Sequence, residues 1–564
     1  MHKPMTMHSS SAAAHHSFTT FRKDTTLWTM REDAVFALPE NLLLLLHQPE
    51  QCPGLTLVRE NNVRASFFLR LPDAGELFIK RYKMRGLSDI IKYMLVPSKA
   101  AAEWKTLRRC AEGGLPVPCP VAVAEKKSGV VLQDSCVIAE AVTGALPLND
   151  YFEQRLPALA PDVARQLRTS LATNLAQLVR AVHNRGIFYR DLHAGNILIR
   201  AAADGGHELF LIDLHRALFP PRLMQWMKVR DLAQLCNSLP QTAIDRDIFL
   251  REYCREALCN EASLRFSIAA ASGKLEARRL RSRGKRCTKN STTFEVYAGV
   301  REGYCGRRDF GRDAARGALA EHHAAMQHSR AQIRKQSKNS AITTHTQKTG
   351  PHAAICVKQY RYRGIRYGLK SLFTRSRARN SWIAGNAFLL RGISTPLPLA
   401  LVERKLGPLV TESFLVTEWL TGARELNDYI SVLEQQAAAP AVKHAFITSL
   451  AATLRDLHEK GVYHADLKST NILVQETAAS TWRFSFVDLD RVAFRDSLSF
   501  YERANNLAQI NASVSRLVSA KERLKFFFFY AKGTDLLKVR KKYYREILKI
   551  SRTKNTEPFG IIFR

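Results

Sequence analysis

The chain has 564 residues, too many for one ordinary hydrophobic core, and its 46% apolar content is that of a globular protein, so about two to four domains are expected. The longest apolar runs, Leu42–Leu46 and Phe526–Phe529, are far short of the ~18 residues that cross a bilayer, and ten scattered cysteines without a C-x-x-C pair speak against a disulfide framework or a zinc ribbon. A net charge of +34 predicts attraction to something anionic, whether nucleic acid, an acidic membrane surface or a phosphorylated substrate, and does not choose among them.

Taken in chain order, residues 1–25 read as a disordered leader, because no apolar core follows Lys3 and a secretory signal needs one; a cytoplasmic protein is expected. "ELFIK" reads as a strand ending on Lys80. "LRTSLATNLAQLVRAVHNRG" places Leu171, Leu175, Leu178 and Val182 on one helical face, and Gly186 ends that helix. The loop "GIFYRDLHAGNILI" then carries Asp191 and Asn196 into a short strand, and "LFLID" is a second strand ending near Asp213. Cys254 and Cys259 read as small core residues. The basic stretch Arg278–Thr292 offers nothing apolar to bury and reads as a linker between domains at 26–277 and 293–564. Beyond it, Arg334–His352 reads as an exposed hairpin and "AAICVK" as a strand ending on Lys358. A helix bearing Leu450, Leu454 and Leu457 stops at Gly461, where "GVYHADLKSTNILV" brings Asp466 and Asn471; "FSFVD" ends on Asp488.

The second half repeats the first. A shift of 278 lays Lys80, Tyr82, Arg85, Gly86, Ser98 and Trp104 on Lys358, Tyr360, Arg363, Gly364, Ser376 and Trp382. A shift of 275 superposes the two Asp/Asn loops and the strands that follow them. Ordered matches over such a span mean two copies of one domain. Each copy runs strands, a helix, strands and then mostly helices, an α+β order with two lobes.

Phosphoryl transfer needs the residues found here in this order. A strand lysine (Lys80, Lys358) neutralises nucleotide phosphates, and a helix glutamate (Glu103) holds it. An aspartate (Asp191, Asp466) accepts the proton of the attacking hydroxyl. An asparagine and a second aspartate (Asn196 with Asp213, Asn471 with Asp488) hold the metal. The D-x4-N spacing lets one short loop aim both side chains into one cleft. Alone it occurs by chance in any protein; in order and in duplicate it predicts two tandem bilobal kinase-like domains.

These residues resemble the protein-kinase-like superfamily, and within it the bacterial lipopolysaccharide core kinases that phosphorylate Kdo or heptose. The resemblance rests on "KRYKMRG…SKAAAEW" with "KQYRYRG…SRARNSW", "GLPVPCPVAV" with "GISTPLPLAL", "YRDLHAGNIL" with "YHADLKSTNIL", and "LIDLHRA" with "FVDLDRV". It implies ATP- and Mg2+-dependent transfer of the γ-phosphate to a sugar hydroxyl of a lipid-linked saccharide, by an enzyme peripheral on the inner membrane. It places Glu140 and Glu418 at the hinge between lobes, where backbone groups would meet adenine. The departures matter: neither copy has a G-x-G-x-x-G loop, Ser381 stands where the first copy has Glu103, Ala465 interrupts the H-R-D triplet, and Asn506 stands where the first copy has Asp231. No A-P-E follows either metal aspartate, which disfavours a protein Ser/Thr kinase; Ser381 and Asn506 leave a tandem pseudokinase scaffold as the remaining rival.

The basic and aromatic stretch Lys521–Lys549 reads either as an interfacial helix on anionic lipid or as the closing helix of the second C-lobe. The linker lacks the interleaved aromatics of a stacking platform, so nucleic acid is not expected.

Overall fold

The computed structural model describes residues 16–37, 54–61, 63–71, 75–84, 86–202, 206–240, 243–255, 260–328, 332–346, 354–362, 374–478 and 480–554. The chain divides into two compact units, Met1–Leu275 and Glu276–Arg564.

In the first unit, strands β1 (Phe18–Lys23), β2 (Thr26–Arg31), β3 (Leu55–Glu60), β4 (Arg64–Leu71), β5 (Gly75–Lys83), β6 (Pro120–Ser128) and β7 (Val131–Glu140) form one sheet in the order β1-β2-β6-β7-β5-β4-β3. Helices α1 (Leu87–Leu95) and α2 (Lys99–Glu112) leave β5 and return to β6. The second lobe is built on α3 (Pro161–Asn184), a small sheet of β8 (Leu146–Pro147), β9 (Ile197–Ala201) and β10 (His207–Leu211), helices α4 (Gln225–Ser238) and α5 (Arg246–Cys254), and the part of α6 (Glu261–Gly284) up to Leu275. Its core gathers Leu171, Leu175, Leu178 and Val182 from α3, the stripe read from the sequence.

The second unit repeats the plan. Strands β11 (Phe294–Ala298) and β12 (Glu302–Arg307), helix α7 (Arg312–His328), then β13 (Ile333–Gln336), β14 (Ser340–Thr346), β15 (Ala354–Arg361), helix α8 (Arg377–Leu389), β16 (Pro398–Leu406) and β17 (Leu409–Glu418) give the order β11-β12-β16-β17-β15-β14-β13. The other lobe holds β18 (Arg424–Glu425), α9 (Pro440–Glu459), β19 (Val462–His464), β20 (Ile472–Ala478), β21 (Thr481–Phe486), β22 (Val492–Phe494), α10 (Phe500–Ser513), α11 (Ala520–Ala531) and α12 (Arg540–Lys554). The turn into the Asp466/Asn471 loop needs its glycine: Gly461 has φ 70°, and a Cβ there would meet the carbonyl oxygen of Arg495 at 2.2 Å.

Several expectations change. Part of the supposed leader is ordered: Phe18 begins β1, packs edge-on against Trp104 with ring centroids 5.2 Å apart, and lies under the Arg108 guanidinium. Residues 1–15 lie outside the described residues, as do Leu42–Leu46 and Cys259; Cys254 packs against the core. Arg278–Thr292 is no tether. Its start closes α6, Cys287 is buried, and Trp382 Nε1 donates to the Cys287 carbonyl at 2.9 Å; one buried cysteine and a backbone carbonyl anchored what charge alone suggested was free. The hairpin expected over Arg334–His352 forms as β13–β14 where the chain is described. In Lys521–Lys549, Phe527, Tyr530, Tyr543 and Ile547 are buried in the core of the second C-lobe, so this stretch closes a lobe rather than offering its aromatic face to lipid.

Candidate functional site

In both units a serine sets the helix that faces the lysine strand. Ser98 Oγ accepts the Ala101 amide at 3.0 Å to cap α2, and Ser376 Oγ accepts that of Arg379 at 3.1 Å to cap α8. That is why this serine is identical in the two copies. On α2 the capped register turns Glu103 inward, where Lys80 Nζ reaches its Oε1 at 2.6 Å. The Tyr82 hydroxyl donates to the other carboxylate oxygen. Both members of the ion pair are buried, so the charges are screened little and fix each other's geometry.

Asp213 lies 3.5 Å from Lys80, in the left-handed conformation with φ 63°. Arg64 Nη1 approaches it at 3.2 Å, and His215 Nδ1 at 2.8 Å. Burial pushes this carboxyl up, but the His215 hydrogen bond and the Lys80 and Arg64 charges more than offset it and hold Asp213 far below the usual carboxylate range. The Ile212 amide donates to the Asn196 carbonyl at 3.0 Å, which sets the two expected metal ligands side by side. Asn196 Nδ2 donates to the Asp191 carbonyl at 3.0 Å, and Arg216 Nη1 meets the Asp191 carboxylate at 3.1 Å. The loop is braced from below: buried Asp231 on α4 accepts the amides of Tyr189 at 2.8 Å and Arg190 at 2.9 Å. That bracing holds Arg190 at φ 68°, a costly angle for a residue with a Cβ.

The second unit keeps the frame and changes the pairing. Ser381 only approaches the Tyr360 hydroxyl, at 3.4 Å, and Lys358 instead pairs with Asp488 at 2.6 Å. Burial raises the Asp488 carboxyl, yet Lys358 holds it below its ordinary value. Arg377, the first residue of α8, reaches the nearly buried Asp490 at 2.6 Å and so ties that helix to the turn after Asp488. Asn471 Nδ2 donates to the Asp466 carbonyl at 2.8 Å, and Lys468 Nζ stands 3.0 Å from the Asp466 carboxylate. Asn506 replaces Asp231 by working both ways. Its amide donates to the His464 carbonyl at 2.6 Å, its oxygen accepts from the His464 amide at 3.3 Å, and Gln509 Nε2 adds a bond to the Ala465 carbonyl at 2.6 Å.

Each unit holds a cleft at these residues. The first, of about 530 Å³, is lined by Asn61, Arg64, Tyr82, Lys99 and His215. The second, of about 610 Å³, is lined by Tyr360, Arg377, Asp466, Asp488 and Asp490 among others. Both volumes lie in the range of small-ligand sites. Glu140 and Glu418 end β7 and β17; the first takes Arg31 at 2.7 Å and the second the Leu397 amide at 2.8 Å, so both side chains serve structure.

The donors suit a hard cation. A carboxylate and an amide oxygen meet at each loop, and the Asn196 and Asn471 nitrogens are engaged with backbone, leaving the oxygen as the ligand each can offer. Glu103 and His215 also converge on Asp213 with donor atoms within 4.8 Å, but the Glu103 carboxylate is taken by Lys80 and Tyr82.

Sequence reasoning missed Arg64, His215, Arg216, Lys468 and the Arg377–Asp490 pair. Arg216 and Arg491 stand at matching places in "DLHR" and "DLDR", a signal for the arginine. Arg64 carries none, since its counterpart opposite Tyr360 is Ser340.

A strand lysine, a facing helix, a braced Asp/Asn loop and a left-handed aspartate, arranged between two lobes, define the bilobal protein-kinase-like class in each unit. The chain belongs to the lipopolysaccharide kinase (Kdo/WaaP) family, which it matches twice, over residues 58–253 and 334–530. It is an ATP-dependent kinase. The lipopolysaccharide core heptose(I) kinase WaaP of Escherichia coli is 29% identical over 228 residues, 38% of this chain and 85% of the relative. The 3-deoxy-D-manno-octulosonic acid kinase of Haemophilus influenzae (strain PittEE) is 28% identical over 166 residues, 29% of this chain and 60% of the relative. Among solved structures, WaaP in complex with acyl carrier protein aligns at 21% identity over 39% of this chain and 88% of that one, with a TM-score of 0.31.

Proposed function

We propose that both units transfer the γ-phosphate of ATP to a hydroxyl of a lipopolysaccharide core sugar, Kdo or heptose, on a lipid-linked acceptor. The observation that carries this reading is the Lys80–Glu103 pair lying beside Asp213 within a chain of this family. Lys80 and Lys358 bind the nucleotide phosphates, with Glu103 holding Lys80 in place. Asp191 and Asp466 accept the proton of the sugar hydroxyl as its oxygen attacks phosphorus, and Arg216 and Lys468 keep those carboxylates oriented. Asn196 with Asp213, and Asn471 with Asp488, would hold Mg2+, which when bound supplies neutralisation of charge on the phosphate oxygens. The segments after the metal aspartates favour a sugar over a protein acceptor. They are short and pinned, by the Phe188–Leu218 bridge in one unit and the β19–β22 pair in the other, which leaves no long loop to seat a peptide.

The test is transfer from radiolabelled ATP to purified lipid A–core by wild type, Asp191→Ala, Asp466→Ala and the double variant. Labelled glycolipid in both single variants and none in the double is the expected result. Loss in one single variant confines activity to that unit, and label on protein alone would overturn the sugar-kinase reading.

A further inference from the structure

Helix α1 leaves its apolar side outside the protein. Leu87 is 78% exposed, Ile91 61%, Met94 52% and Leu95 84%, and their spacing puts them on one face. The only acid of the helix, Asp89, is buried. A run of large aliphatic side chains on one helix face marks an interaction surface. The second copy independently carries Ile365, Leu369, Leu372 and Phe373 at the same four positions under the 278-residue shift, although most residues between them have changed; positions 363–373 lie outside the described residues. In the sequence, cations flank the pattern in both copies. From 83 to 99 the sequence has Lys83, Arg85, Lys92 and Lys99 against Asp89, and the matching stretch has Arg361, Arg363, Arg366, Lys370, Arg375 and Arg377 with no acid; Lys83 and Arg377 are paired with Glu60 and Asp490 from elsewhere in the chain.

We propose that α1 lies in the headgroup boundary of an anionic phospholipid bilayer, with Leu87, Ile91, Met94 and Leu95 inserted, and that this docks the first unit on the membrane. Charge complementarity selects the occupant. An apolar face that carries Lys92 in a stretch rich in Lys and Arg matches an anionic lipid surface, whereas a second copy would set like charges against like. Only Val96, Pro97 and Ser98 separate α1 from α2, whose first residue, Lys99, lines the cleft. The contact that holds the helix to lipid therefore also holds the cleft beside it. This docking rests on the reading that the acceptor is borne by a membrane.

The experiment is flotation of the full chain with phosphatidylglycerol/phosphatidylethanolamine vesicles that contain no saccharide, beside phosphatidylcholine vesicles. Wild type is compared with the Leu87→Gln/Ile91→Gln/Leu95→Gln variant and with Phe266→Gln, which removes a well-exposed apolar side chain elsewhere, on α6. The triple variant is expected to lose about tenfold or more in partitioning to the anionic vesicles. Its thermal midpoint, and its rate on a deacylated water-soluble core saccharide, should stay at the wild-type level, and Phe266→Gln should float normally. Equal flotation of triple variant and wild type overturns the docking, as does equal binding to phosphatidylcholine. So does a concentration-dependent dimer that the triple variant loses while flotation persists. Flotation without label on any saccharide removes the proposed acceptor and leaves the docking standing; labelled soluble saccharide without flotation does the reverse.

Discussion

Lys80 and Lys358 occupy the same place on the same strand and differ in what holds them. With Glu103 as partner, Lys80 is positioned from the helix side and stays 3.5 Å from Asp213; without one, Lys358 closes directly on Asp488 at 2.6 Å. Glu103→Gln, in an Asp466→Ala background, should lower turnover of the first unit by about 10²-fold, because a displaced lysine no longer meets the phosphates in register; steady-state kinetics with saturating acceptor measures it. In the Asp191→Ala background, Ser381→Glu should raise the ATP affinity of the second unit by drawing Lys358 off Asp488, and a rise in KM for ATP would refute that account. His458 makes a different kind of statement. It is fully buried between the Tyr530 hydroxyl at Nδ1, 2.7 Å away, and the Asn506 oxygen at Nε2, 3.2 Å away. The neutral ring with its proton on Nε2 satisfies both neighbours. Burial pushes this imidazole down to about 3, whereas in the unfolded chain it titrates near ~6.5. Between those values the unfolded state binds a proton that the folded state refuses, so stability of the second unit should fall on acidification from pH ~6.5 to ~3, by up to ~1.4 kcal/mol per pH unit. His458→Gln should flatten that slope in urea titrations at stepped pH.

At the scale of elements, the catalytic loop of each unit hangs from one helix. Asp231 accepts two amides of the loop in the first, and Asn506 with Gln509 takes over in the second. Asp231→Ala leaves the buried Tyr189 amide and the part-buried Arg190 amide without their acceptor and should cost about 2–4 kcal/mol, with unit-one activity lost in parallel. Asp231→Asn, which copies the second unit, should cost clearly less; calorimetry of the two variants distinguishes them. Much of this was legible in the sequence. The α3 and α9 stripes, Gly186 and Gly461 and the two Asp/Asn loops each obey a local rule, so periodicity and spacing found them; Ser98 and Ser376 showed only as matching positions of the repeat, and their capping role came with the structure. What escaped depends on distant partners. The β1 strand is held by Trp104 and Arg108 and the supposed linker by Trp382; the C-terminal aromatics close a lobe, as one of the two readings of that stretch had it. Arg64 reaches Asp213 across 149 positions, and nothing in its neighbours announces that.

At the scale of the whole molecule, a duplicated frame carries two sets of ionic contacts that differ in their access to water. The Lys80–Glu103 side chains are 10% and 6% exposed; in the Arg377–Asp490 pair, which ties the corresponding helix of the second unit, the Arg377 side chain is 44% exposed and that of Asp490 5%. Dissolved ions screen the second pair and scarcely reach the first, over a Debye length that shrinks from about 10 Å at 0.1 M to about 3 Å at 1 M. Added potassium chloride should therefore slow the Asp191→Ala variant, which works through the second unit, more steeply than the Asp466→Ala variant assayed on the same soluble acceptor. On the proposed reading, the ratio of the two rates then becomes a gauge of ionic strength, and concentrated salt shifts phosphate transfer toward the first half of the chain.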